Sequence, residues 1–129
     1  MTVWFVGAGG AAGALARYGL SLLFNPSASG SAVPWGTLLC NLLGCLLLGC
    51  LAYAPKLALY PNRKAFLTTG FIGAFTTFST LSLEMVRLLE SSAWLQAGVY
   101  AGLSFFGGLA CIRLGRGFHR LTAREESAE

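Results

Sequence analysis

The chain has 129 residues, 55% of them hydrophobic and only 11% charged, with a mean hydropathy of +0.65. Soluble domains carry roughly 25% charged residues, so this chain belongs in a bilayer, and its net charge of +4 reads as the basic flank of a membrane protein rather than a nucleic-acid surface. It contains no Asp, and its five acidic residues are all Glu at or after Glu84; no nucleophile, base and orienter can be assembled from such a set, which argues against an enzyme.

Four uncharged or nearly uncharged runs, 4–24, 33–54, 65–83 and 91–112, each approach the roughly 20 residues a helix needs to cross hydrocarbon. They predict a single-domain, all-α membrane protein with four transmembrane helices and a cytoplasmic-type tail over 113–129. Four short helices leave little room for an enclosed site, so association is expected. The first run is too long for a cleaved signal peptide and has no basic region before it.

That first run carries Gly7, Gly9, Gly10 and Gly13 after an apolar start, an imitation of a dinucleotide-binding turn. The imitation fails because the ribose needs an acid about 20 residues later, and none occurs before Glu84. Gly9 and Gly13 instead form a small-xxx-small step that lets another helix approach closely. Arg17, near the end of the run, either snorkels to the interface or makes an electropositive vestibule. Residues 25–31 are an uncharged, turn-rich connector.

The second run has a stripe of Gly36, Cys40 and Gly44 with Thr37 and Asn41 beside it. A lone amide such as Asn41 is either interhelical glue or a neutral donor suited to a dehydrated anion. Cys40, Cys45, Cys50 and Cys111 match neither zinc nor redox spacing and read as small apolar packing residues. Lys56, Arg63 and Lys64 in the following loop mark a cytoplasmic side.

The third run leads into the most unusual stretch, Gly70 to Glu84, with two glycines and five hydroxyl side chains inside an apolar segment. At 100° per residue, Thr76, Thr77, Ser79, Thr80 and Glu84 share an arc of about 160°, while Phe75, Phe78 and Leu81 occupy the rest. Gly70 and Gly73 precede a Thr76–Thr77 pair whose hydroxyls can bond freed backbone groups, so the third helix is expected to break here and expose carbonyls. Such breaks in membranes mark ion sites, the competing account being that Ser and Thr glue helices together. Glu84, Arg87 and Glu90 follow at three-residue steps, and Glu84 is expected to pair with Arg87.

The fourth run repeats the small-residue pattern with Gly98, Gly102, Gly107 and Gly108, and sets Tyr100 and Ser104 one turn apart on one face. Tyr100 is either an interfacial belt residue or a hydroxyl donor to a pore. Arg113, Arg116, His119, Arg120 and Arg124 give the tail its basic character.

Taken together, Gly10-x-x-Gly13-Ala-x-x-Arg17-Tyr18, Gly36-Thr37-Leu38-x-x-Asn41-x-x-Gly44 and Gly70-Phe-x-Gly-x-Phe-Thr-Thr-Phe-Ser-Thr80 resemble the Fluc (CrcB-type) fluoride channels, and the likeness covers all four runs. The resemblance implies a dual-topology dimer of antiparallel subunits in the cell membrane that exports fluoride passively. It implies a structural, untransported sodium ion held by the backbone carbonyls of Gly73 and Thr76 from both subunits. It also implies a fluoride path lined by Asn41, Phe78, Ser79, Thr80, Ser82 and Tyr100, with Arg17 near the vestibule and Glu84 near an exit. One departure stands at Leu81, where the family commonly has a second Phe; leucine lacks the electropositive ring edge, which bears on rate or affinity.

With four spans, Lys56, Arg63, Lys64, Arg113, Arg116, Arg120 and Arg124 fall on the side of both termini, against Arg87 on the other. This bias pulls against insertion in both orientations. The partner is therefore a second copy of the chain or an oppositely oriented homologue, and self-complementary small-residue stripes favour the second copy. Two other classes compete with this reading. A proton-coupled exporter of the small multidrug resistance kind would need a carboxylate within the membrane, and a non-conducting structural subunit would show no ion specificity.

Overall fold

The structure, a computed structural model, describes residues 2–25, 33–52 and 60–125, with side chains as far as Gly117. Most of the 25–31 connector, Lys56, and the side chains of His119, Arg120 and Arg124 lie outside the described residues. Helix α1 (Thr2–Phe24) and α2 (Trp35–Ala52) precede a third helix in pieces: α3 (Pro61–Ala65), a π-helical stretch Phe66–Ile72, α4 (Gly73–Phe75) and, beyond a break, α5 (Phe78–Glu90). The fourth runs as α6 (Trp94–Gly102), a second π-helical stretch Leu103–Gly107, and α7 (Gly108–Glu125). No strand occurs among the described residues.

Three helical runs, Trp35–Ala52, Pro61–Glu90 and Trp94–Gly117, are long and apolar enough to cross a membrane. Helix α1 has the length, since its 23 residues rise about 34 Å at 1.5 Å each, but Arg17 and its glycines dilute its hydropathy. The boundaries differ from those expected. The third helix starts at Pro61, where proline's missing N–H costs nothing in a first turn, and runs through Glu84 to Glu90. The fourth begins at Trp94 rather than 91, because residues 91–93 form the turn between the two helices. There Ala93 N–H bonds Leu88 O (2.9 Å) and Ser92 N–H bonds Leu89 O (3.0 Å), with Ser92 left-handed at φ 58°, the Schellman pattern of a helix end.

Small residues set the packing. A Cβ on Gly9 would collide with the carbonyl of Phe66, one on Gly13 with that of Phe71, and one on Gly70 would lie 2.7 Å from Val6 O. Helix α1 and the first half of the third helix thus meet backbone to backbone, as the Gly9–Gly13 step predicts. A second such contact was not anticipated: Gly49 of α2 and Gly115 of α7 abut the backbones of Ile112 and Leu46. Gly115 lies beyond Arg113, in the stretch expected to be a solvated tail, and is buried. Gly98 and Gly102, by contrast, have nothing within 4 Å of an added Cβ, so their stripe is unused within the chain.

The buried cluster is modest: Leu38, Leu88, Ala93, Ala97 and Tyr100, flanked by Val33, Leu42, Leu81 and Met85. Large apolar side chains on α1, α2, α5, α6, α7 and the second π-helical stretch remain outside it, including Trp4, Leu95, Phe78 and Phe105. Water would penalise such a surface heavily, and a bilayer does not.

Candidate functional site

The third helix breaks midway, on the threonine pair itself. Thr76 (φ −86°, ψ 151°) and Thr77 (φ −149°, ψ 124°) are extended, while Gly70 and Gly73 upstream stay helical. Side chains take over the freed backbone groups. Thr77 N–H donates to Asn41 Oδ1 (2.8 Å) and Thr77 O accepts from Asn41 Nδ2 (3.1 Å), so one amide on α2 holds both backbone groups of Thr77 within the break. Arg17 Nε donates to Ala74 O (3.1 Å), tying α1 to the end of α4. Thr80 N–H donates to Thr77 Oγ1 (3.2 Å), which caps α5. The Thr76 hydroxyl folds back onto Ile72 O (2.9 Å).

Two oxygens lose the amide that a continuous helix would give them. A continuous helix would send Thr77 N–H to Gly73 O and Thr80 N–H to Thr76 O; both amides are engaged elsewhere. Gly73 is moreover exposed, and a Cβ added there would meet only Thr68 O, at 3.8 Å.

Beside the break lies a cleft of about 440 Å³. Asn41 and Gly44 of α2, Thr76, Thr77, Phe78 and Leu81 of the third helix, and Ser104 and Phe105 of the fourth contribute to its walls, and no carboxylate, ammonium or guanidinium does. Phe78, the first residue of α5, is 81% exposed. The hydroxyl of Ser104 is buried and has no partner among the described residues. Ser104 was legible only as a neighbour of Tyr100 on the same face; its unsatisfied hydroxyl is a tertiary fact.

The remaining predicted residues divide. Ser79 and Thr80 gather at Thr77 Oγ1, at 3.2 and 3.0 Å, and Ser82 bonds back to Phe78 O at 2.9 Å. Glu84 does not pair with Arg87. Its carboxylate accepts from Thr37 Oγ1 (2.8 Å), Tyr100 Oη (2.7 Å) and, more distantly, Asn25 Nδ2 (3.5 Å). Tyr100 is 0% exposed and is therefore no belt residue. Asn25 also accepts Gly36 N–H at 2.7 Å, so the end of α1, the start of α2 and the third and fourth helices converge on this carboxylate. Neither Thr37 nor Asn25 stood out as a site residue, because nothing local in the sequence points from them to position 84.

Residues 4–116 match the family described as CrcB-like protein, Camphor Resistance (CrcB). A fluoride-specific ion channel FluC of Nitratidesulfovibrio vulgaris (Miyazaki F) is 45% identical over 118 residues, spanning 90% of this chain and 94% of that protein. Fluoride-specific ion channel FluC 2 of Geobacillus kaustophilus is 45% identical over 106 residues, 81% of each chain. Its namesake in Listeria monocytogenes is 39% identical over 117 residues, 87% of this chain and 85% of the other. A broken third helix clamped by Asn41 and Arg17, an uncharged cleft beside it, and a match along nearly the whole length leave one conclusion: this chain belongs to the CrcB family.

Proposed function

We propose that the chain is a subunit of a fluoride-selective channel that lets fluoride leave the cell passively across the cell membrane. The observation that carries this reading is the chemistry of the cleft: amide and hydroxyl groups, two phenyl rings and an unpartnered buried hydroxyl set among aliphatic side chains, with no fixed charge. Fluoride is small and strongly hydrated, so a selective pore must exchange water for short donor contacts without a charge that would trap the ion. Phenyl edges carry positive quadrupole and accept an anion without offering a proton. The path runs past Asn41, Phe78 and Leu81, with Ser79, Thr80 and Ser82 along α5, Ser104 and Tyr100 from the fourth helix, Arg17 towards the vestibule and Glu84 at an exit. The relatives' names support fluoride as the ion and a channel rather than an enzyme.

Vesicles reconstituted with the purified chain are expected to release fluoride and retain chloride, read with ion-selective electrodes. Equal efflux of the two ions would overturn selectivity. Fluoride release that runs only against a proton gradient would replace the channel with a coupled exporter.

In this reading the working unit is an antiparallel dimer, of two copies or of the chain with an oppositely oriented homologue, and four helices of each subunit span the bilayer. Exposed rings and the unused Gly98–Gly102 stripe are surface that lipid or a second subunit must cover. The carbonyls of Gly73 and Thr76, short of helical donors, suit a hard cation that takes oxygen ligands, and sodium held by four such oxygens from two subunits would fix the breaks against each other. Gly73→Val tests this directly, because within one chain the added side chain has room. The variant is expected to keep its helix content yet lose the dimer on size exclusion and lose fluoride efflux. A dimeric, conducting Gly73→Val protein would rule out a close carbonyl-to-carbonyl contact at this residue.

A further inference from the structure

We infer that Phe105 is a second ring contact for the conducted anion, carried on the fourth helix and facing the same cleft as Phe78. The inference rests on the fluoride-channel reading above and names a residue that determines how well the site holds its ion. Among the residues lining the cleft, Phe78 and Phe105 are the two aromatic ones. Phe105 directly follows Ser104, whose buried hydroxyl lacks a partner among the described residues, so a hydrogen-bond donor and a ring stand side by side on one wall. On the facing α5 wall, the position one turn beyond Phe78 is Leu81, which offers no ring edge.

The placement of Phe105 has a local cause. Residues Leu103–Gly107 are π-helical, and the wider turn brings successive side chains closer in angle than an α-helix does, so Ser104 and Phe105 both reach the cleft. Phe106 packs against Phe105 edge to face, with centroids 5.2 Å apart and planes at 87°. The Phe105 side chain is 70% exposed in the single chain and lines the cleft. A dehydrated anion here gains two positive ring edges and a hydroxyl proton without meeting a charge.

Fluoride efflux from vesicles separates this role from packing. Phe105→Leu is expected to slow efflux about tenfold, and adding Leu81→Phe, which returns a ring from the other wall, is expected to bring the rate back to within about threefold of the parent. Phe105→Met, which keeps volume without a ring, carries the same expectation of about tenfold should the leucine variant not yield folded protein. A ringless variant within about twofold of the parent, or a Leu81→Phe addition that restores nothing, would overturn the inference. A parent protein that conducts no fluoride would instead overturn the channel reading itself, and the parent arm of the same assay reports that separately.

Discussion

Asn41→Ala is expected to lower fluoride conduction by about two to three orders of magnitude, the largest effect of any single side chain in the site. The clamp explains the size. Both functions of the amide are engaged on Thr77, one accepting its N–H at 2.8 Å and the other donating to its carbonyl at 3.1 Å. Alanine would leave two backbone groups unpaired at the middle of a membrane helix, each costing about 1–3 kcal/mol, and the break would relax away from the geometry that sets Phe78 at the cleft. Asn41→Asp sharpens the test, since a carboxylate can accept from Thr77 N–H but has no N–H2 to donate to Thr77 O; it should also fail to conduct. Cys45→Ala, a neighbour on the same cleft, is the control and should stay near the parental rate. Efflux traces together with size-exclusion profiles decide between outcomes: if Asn41→Ala conducts as Cys45→Ala does, Asn41 is only glue between helices.

The second large effect is on assembly rather than conduction. Gly9→Ala combined with Gly13→Ala is expected to abolish recovery of folded protein from detergent extracts, because each added methyl points at main-chain atoms of Phe66 or Phe71 that cannot swing aside as a side chain would. Overpacking a tight contact costs about 1–3 kcal/mol per site, and two sites on one interface would consume much of a typical stability of roughly 5–15 kcal/mol. Gly7→Ala with Gly19→Ala changes the same helix by the same two methyls, yet nothing lies within 4 Å of either position. The control pair should therefore match the parent in yield and in thermal aggregation midpoint. Equal loss from both pairs would mean that glycine acts in α1 through something other than this contact.

The all-helical membrane class and the broken third helix were legible because both depend on local pattern: long apolar runs, and two adjacent threonines after two glycines. How the break is held was not. Asn41 is 36 positions from Thr77, and no periodicity connects a lone amide on one helix to a backbone on another; the sequence left it open between glue and donor, and it donates and accepts at one residue. Glu84 shows the opposite failure. A three-residue step to Arg87 is a sound local rule, but Thr37 and Tyr100 supply buried partners at 2.8 and 2.7 Å, and tertiary placement overrides the helix surface. Gly115 was missed because charges at Arg113 and Arg116 mark the end of an apolar run, although α7 continues past them packed on α2. The π-helical stretches have no sequence signature beyond glycines near them.

The interruption at Thr76–Thr77 also has an electrical consequence. A helix carries partial charges of about half an elementary charge at its ends, positive where amides are free and negative where carbonyls are. An unbroken third helix would leave both poles at the membrane surfaces; breaking it midway brings a negative pole, the end of α4, and a positive pole, the start of α5, into the hydrocarbon. Arg17, donating to Ala74 O, offsets the negative one. The positive pole, with Phe78 at its first residue, has no acidic side chain in its first turn to offset it. The start of α5 therefore adds an anion-attracting contribution from peptide dipoles, which neither titrate nor bind an ion so tightly that it stays.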